Sequence, residues 1–263
     1  VLRHSEVGKQ ACILKHGAKA ALVWWGVDAA GCVHQRLAIN FQQARVRAQQ
    51  ACYGVDYRAF TSAGAAKKGS DAAARLRIAQ PDEAILCHVS NFRKVKRVLD
   101  VISIFAEVHQ TRASKMVMVG DGPERPAAEA LAIQLGVQDE VLFLGKTSDV
   151  ERILGISDLF LLPSETESFG LAALEAMASG VPVISSNSGG IPEVNKHGVS
   201  GYLSAVGDTK EMVHHALSIL RDDSLLAMFK ENAKAEARQF DIHKIVPFYE
   251  SIYKKAMTNC ISI

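Results

Sequence analysis

Glu167 and Glu175 lie eight residues apart in the stretch FLLPSETESFGLAALEAMASGVPVISSNSGGIPEV, residues 160–194. Two carboxylates at this spacing can grip the two ends of a polar ligand. Phe160–Leu162 is a short apolar run, which Pro163 and the following Ser, Thr and Glu residues turn into a loop. Residues Phe169 to Met177 are helix formers, and Gly180 supplies a stop. A strand-to-helix turn of this kind presents unpaired backbone N–H groups to an anion. Eight helical residues rise about 12 Å, close to the length of a sugar diphosphate, so one carboxylate could meet a sugar and the other a ribose. Solvated charges on a helix surface are the plainer alternative, and the neighbouring motifs weigh against it.

Three further loops carry residues suited to an anionic ligand. Ser90-Asn91-Phe92-Arg93-Lys94-Val95-Lys96-Arg97 follows an apolar run, and cations at a strand's carboxyl end can neutralise a departing diphosphate. A cationic first helical turn opposes the helix dipole, a local cost that a bound anion would offset. Val119-Gly120-Asp121-Gly122-Pro123-Glu124 is a glycine turn opening a helix, with Pro123 suited to the first helical position. It reads as a tight turn or as close backbone approach to a ligand. It does not complete the dinucleotide fingerprint, because Glu124 and Arg125 follow, and Gly145 and Lys146 stand where the expected acid would be. Ser188-Gly189-Gly190-Ile191-Pro192-Glu193 again sets glycines before a short helix, and Asn187 could bond sugar hydroxyls or cap the turn. The sequence has no D-x-D pair, no HxxxH spacing, no G-x-S-x-G elbow and no P-loop. A diphosphate held by Lys, Arg and a helix N-terminus is therefore favoured over a metal-bridged one.

The elements that must position these loops follow from the periodicity. Short apolar runs alternate with amphipathic stretches: strands at Ala84–Val89, Lys115–Val119, Val141–Leu144, Leu159–Leu162 and Val181–Ser185, and helices at Val95–His109, Pro123–Leu135, Thr147–Leu154 and Phe169–Met177. This alternation predicts an α/β fold, a doubly wound parallel sheet whose ligands bind beyond the carboxyl ends of the strands. All the motif loops fall on that edge. Beyond Gly201 the pattern reads as helical, over Lys210–Arg221, Ser224–Arg238 and His243–Ala256, with Pro247 marking a start or kink. Ala63–Ser70 reads as a flexible connector, and residues 1–51 as an unassigned remnant or linker.

Of 263 residues 48% are hydrophobic, enough for a substantial core. Thirty basic and 28 acidic residues leave a net charge of +2, which gives no pull towards nucleic acid or anionic membrane. No run of 18 apolar residues is present, so no transmembrane segment is expected. Five scattered cysteines without CxxC spacing point to reduced thiols and a cytoplasmic setting. The sequence opens on Val1 rather than methionine and reads as an internal fragment.

From about Cys52 onward the chain resembles the donor-binding half of the family 4 retaining glycosyltransferases, which are built from two Rossmann-like domains. The Glu167/Glu175 pair, HVSNFRKVKRV at 88–98, VGDGPE at 119–124 and the 160–194 block carry the resemblance. It implies a donor-binding domain over 52–240 and a C-terminal helix within 241–263 that braces a partner domain. The N-terminal acceptor domain is expected to be largely missing, although GVDYRAF at 54–60 is similar to the linker that leads out of it. The resemblance also implies that Glu167 bonds sugar hydroxyls, that Lys96 and Arg93 neutralise the leaving UDP, and that Glu175 binds the ribose. The amides of Ser168, Phe169, Gly170 and Leu171 would hold the diphosphate. Asn91, where many relatives carry arginine, and Gly122 would line the donor site. The donor implied is UDP-N-acetylglucosamine or a related nucleotide sugar and the acceptor L-malate, in the first step of bacillithiol biosynthesis, with no metal or cofactor. A UDP-sugar-binding module without catalysis of its own, or a hexosyltransferase with another acceptor, are the other readings.

Overall fold

The computed structural model describes residues 12–13, 22–23, 54–60, 68–248 and 250–251. The chain divides into two units, 1–49 and 50–263. In the first, the described residues are Cys12–Ile13 and Leu22–Val23, which pair antiparallel. The expectation for 1–51 otherwise lies outside the described residues, as do residues 63–67 of the expected connector. Lys68–Ser70 are not connector but the first residues of helix α1, Lys68–Arg75.

The second unit is built on six strands: β1 Ala84–Val89, β2 Ser114–Val119, β3 Val141–Gly145, β4 Leu159–Leu162, β5 Val183–Ser186 and β6 Gly201–Ser204. They lie in the order β3-β2-β1-β4-β5-β6, every neighbouring pair parallel. The order reverses between β1 and β4, the place where sheets of this class open a ligand crevice at their carboxyl edge. Strands this apolar are expected where both faces are covered. Leu86, Met116, Met118, Leu161 and Ile184 point into one core, with helices α2 (Val98–Thr111), α3 (Arg125–Gln134) and α7 (Thr209–Leu220). Ile85, Cys87, Val117, Phe160 and Leu162 point into the other, with α4 (Val150–Gly155), α5 (Leu171–Ala178), α6 (Ile191–Val194) and α8 (Asp223–Ala237). A last helix runs through 242–248, with Pro247 inside it.

At the opposite, amino edge of the sheet, Asp158 accepts from Arg75 of α1 at 2.7 Å, Lys230 of α8 at 2.7 Å and the Ile85 amide at 2.9 Å. Burial pushes its carboxyl up, but the two cations outweigh that and hold it below the usual range. This buried anion ties two helices to the start of β1.

Three expectations are corrected. The stretch after Gly201 is not all helical: β6 pairs with β5 there. The expected helix Val95–His109 is broken into a 3-10 turn at Lys94–Lys96 and α2, with Arg97 between them at φ +50°. The basic residues therefore sit ahead of α2 and not within its first turn, which carries Asp100, and the N-cap Arg97 pairs with that carboxylate at 2.6 Å. Helix α3 begins at Arg125, so Pro126 and not Pro123 occupies its first turn.

Candidate functional site

The loops after β1 and β4 flank the reversal of strand order and hold most of the residues singled out from sequence, while Gly122 follows β2 and Leu171 and Glu175 lie in α5 (Leu171–Ala178). The β1 loop starts at a buried histidine. His88 Nδ1 lies 2.8 Å from the Leu161 carbonyl of β4 and Nε2 lies 2.7 Å from Ser90 Oγ. A carbonyl only accepts, so Nδ1 carries the proton, Nε2 accepts from the Ser90 hydroxyl, and that oxygen accepts in turn from the Phe92 amide. Burial pushes the His88 pKa down to about 4, with Lys96 adding to the effect, so the ring stays neutral. Phe92 is fully buried at φ +37°, a costly conformation for a bulky residue, held here by its packing. This anchoring carries the chain into the exposed Asn91 and Arg93 and the half-buried Lys96.

The β4 loop comes to meet it. Lys96 forms an ion pair with Glu167, whose Oε1 also accepts from Ser164 Oγ at 3.1 Å. The Glu165 amide donates to the Val95 carbonyl at 2.8 Å, so a backbone bond joins the loops beside the ion pair. The pair's side chains are 20% and 13% exposed, which makes it far less screened than a surface pair. Among the described residues the Arg93 guanidinium has no ion pair.

Glycines hold these loops together. A Cβ on Gly120 would overlap the Ser90 carbonyl and one on Gly122 the Asn91 carbonyl. One on Gly189 would overlap the Glu167 carbonyl, and one on Gly190 the Ser168 carbonyl. Both glycine motifs thus bring backbone against the chemical loops. The Gly190 amide donates to the Glu167 carbonyl at 3.0 Å, and Ser188 Oγ to the Glu165 carbonyl at 2.7 Å. Asn187 is exposed, its amide bonded to the Ser204 carbonyl at 2.7 Å.

Helix α5 opens at Gly170, φ +90°, with no side chain capping its first turn. Its first-turn amides present the partial positive charge of a helix N-terminus towards the carboxyl edge. Because α5 starts at Leu171, Glu167 lies in the loop and Glu175 one turn into the helix, so the 12 Å all-helical span between them is corrected. Leu171 and Glu175 share the stripe of α5 that its buried residues leave open. The Glu175 carboxylate has no hydrogen bond among the described residues; burial first, then Glu151 of α4, push its pKa up to about 6. Among those residues no group of three could hold a metal ion, and no helix is long and apolar enough to cross a membrane.

Residues 74–236 match the sequence family described as Glycosyl transferases group 1. The chain belongs to that family. Within the family, N-acetyl-alpha-D-glucosaminyl L-malate synthase of Bacillus anthracis is 50% identical over 172 residues, 65% of this chain and 45% of that protein. The 2-deoxystreptamine N-acetyl-D-glucosaminyltransferase of Niallia circulans is 33% identical over 159 residues, 57% and 41% respectively. Among solved structures, HepE of Anabaena in complex with UDP superposes with a TM-score of 0.67 at 26% identity, over 78% of this chain and 56% of that one. The chain spans about half the length of the relatives it matches.

Sequence reasoning brought out Lys96 and Glu167 separately but not their pairing, and it missed Ser164, Ser90 and the bonding of His88. The available signal was weak: a serine after a proline, and a histidine near the end of a buried strand with a serine two residues on.

Proposed function

We propose that this chain is the nucleotide-sugar side of a retaining glycosyltransferase that moves N-acetylglucosamine from UDP to L-malate. The observation that carries the reading is the meeting of Lys96 and Glu167 at the reversal of strand order, beside the uncapped start of α5. A diphosphate seated there meets Lys96, Arg93 and the amides of Ser168 to Leu171, where cations and a helix N-terminus stabilise its growing charge as the sugar departs. Glu167 accepts from sugar hydroxyls, and the ribose hydroxyls donate to Glu175, whose half-buried carboxylate has that capacity to spare. Asn91 and Gly122 border the same loops. The acceptor hydroxyl attacks on the face that UDP leaves, and a leaving phosphate oxygen takes its proton, so the protein positions and neutralises rather than supplying a base. No metal is required for this charge balance. The helix through 242–248 is assigned to bracing a partner domain, and a soluble, cytoplasmic enzyme fits this chemistry.

Titration calorimetry with UDP tests the donor site: Glu175→Ala should weaken binding about tenfold or more, the loss of charge-assisted hydrogen bonds. Unchanged affinity removes the ribose role. The second reading is a donor-binding module without turnover. UDP release from UDP-N-acetylglucosamine that depends on malate selects the enzyme reading for this chain.

A further inference from the structure

The cation best placed for a diphosphate is already engaged. Lys96 is paired with Glu167, and Glu167 Oε1 is held on its other side by the buried Ser164 hydroxyl. Resting on the donor reading above, we propose that Lys96 and Glu167 are an exchange pair that discriminates a sugar-bearing nucleoside diphosphate from the bare one. Any diphosphate draws Lys96 away from Glu167. A bare nucleotide then leaves a carboxylate that is only 13% exposed in the paired state, bonded to one hydroxyl and facing two phosphates. A half-buried anion in that position has lost both its water and its counter-charge. A sugar nucleotide places hydroxyl donors against the same carboxylate and restores what Lys96 withdrew. The contact that makes the sugar welcome thus makes bare UDP, the product, bind at a disadvantage. Arg93, exposed and without an ion pair among the described residues, is available to the diphosphate in either case.

A double-mutant cycle on the full chain isolates the exchange from plain charge repulsion, because repulsion between Glu167 and the phosphates is the same in both backgrounds. Calorimetry with UDP is run on the wild type, Glu167→Gln, Lys96→Gln and the double variant, with UDP-N-acetylglucosamine as second ligand. Lys96 ends a 3-10 turn and Glu167 sits on a loop, both partly exposed, and thermal melts check that each variant folds. Glu167→Gln should tighten UDP, and the gain should be about three- to tenfold larger with Lys96 present than with Lys96→Gln, the scale of one partly buried pair. The same variant should weaken UDP-N-acetylglucosamine, so the preference for the sugar-bearing ligand falls from both sides. Equal gains in the two backgrounds, or a weaker UDP complex in Glu167→Gln, overturn the exchange while leaving the donor site standing. A wild-type chain that binds no UDP at millimolar concentration overturns both.

Discussion

An ionised Glu175 is costly where it sits, half-buried and near Glu151, with its pKa pushed up to about 6 from an ordinary 4.5. The sign follows from the raised value. Its contribution to folding is fully present below about pH 4.5 and lost as pH climbs through about 6. Glu175→Gln cannot ionise, so it should be more stable than wild type by about 1–2 kcal/mol at pH 8 and level with it at pH 4, as read by urea unfolding. Such a cost to the fold is expected where a ligand supplies the missing partner. His88 runs the other way. Held neutral with a pKa of about 4, it favours the fold above its ordinary value of 6.5 and withdraws that support as pH falls from there to about 4. The loss should approach about 3 kcal/mol, and His88→Gln should flatten stability over that interval. At this scale the sequence was legible in residue type and spacing but not in long-range partnership. Nothing local joins Lys96 to Glu167, 71 residues away, and a histidine inside an apolar strand looks the same whether it packs passively or bonds at both nitrogens.

The elements show why some of the fold could be read in advance. Ala84–Val89 and Leu159–Leu162 were legible to the residue because both are apolar runs closed by polar or proline-led loops. Strand β6 was not: Gly201–Ser204 is four residues long and opens on glycine, a residue that ordinarily weakens strands. The structure supplies the reason, since a Cβ on Gly201 would overlap the Val183 carbonyl of β5, so close pairing demands glycine there. The same physics governs the site loops. Gly189 combines φ +58° with backbone contact against Glu167, so Gly189→Ala carries both conformational strain and a clash with atoms that cannot swing away. It should cost about 1–3 kcal/mol of stability and weaken UDP binding, because the carbonyl it displaces belongs to the residue that partners Lys96. Gly136 has φ +72° with open space around it, so Gly136→Ala serves as the control. It should lose stability to strain alone and leave UDP affinity as it was; a matching loss of affinity in both variants would mean that loop packing at Gly189 has no bearing on the site.

Across the whole second unit, the start of the segment at 54–60 and the stretch just after α8 close on each other beside the motif loop. The Val55 amide donates to the Phe240 carbonyl at 3.0 Å, and the Ile242 amide to the Val55 carbonyl at 2.9 Å, so 55 and 240–242 form a short parallel bridge. Phe240, within that bridge, meets the buried ring of Phe169 edge-on at 5.6 Å, and Phe169 immediately precedes the glycine that opens α5. Packing therefore links 54–60 and the stretch 240–242 to the amides assigned to the diphosphate. Truncating that ring tests the link. Phe240→Ala should cost about 1–3 kcal/mol, less than a fully buried phenylalanine because Phe240 is partly exposed, and it should weaken UDP about three- to tenfold by loosening the start of α5. Ionic strength separates this effect from the charged contacts. An apolar contact is insensitive to added salt, whereas cation–phosphate attraction is screened over about 8 Å at physiological ionic strength. The loss caused by Phe240→Ala should thus stay constant between low and high salt while that caused by Lys96→Gln shrinks. A Phe240→Ala chain that melts earlier yet binds UDP like the wild type would confine the Phe240–Phe169 contact to stability.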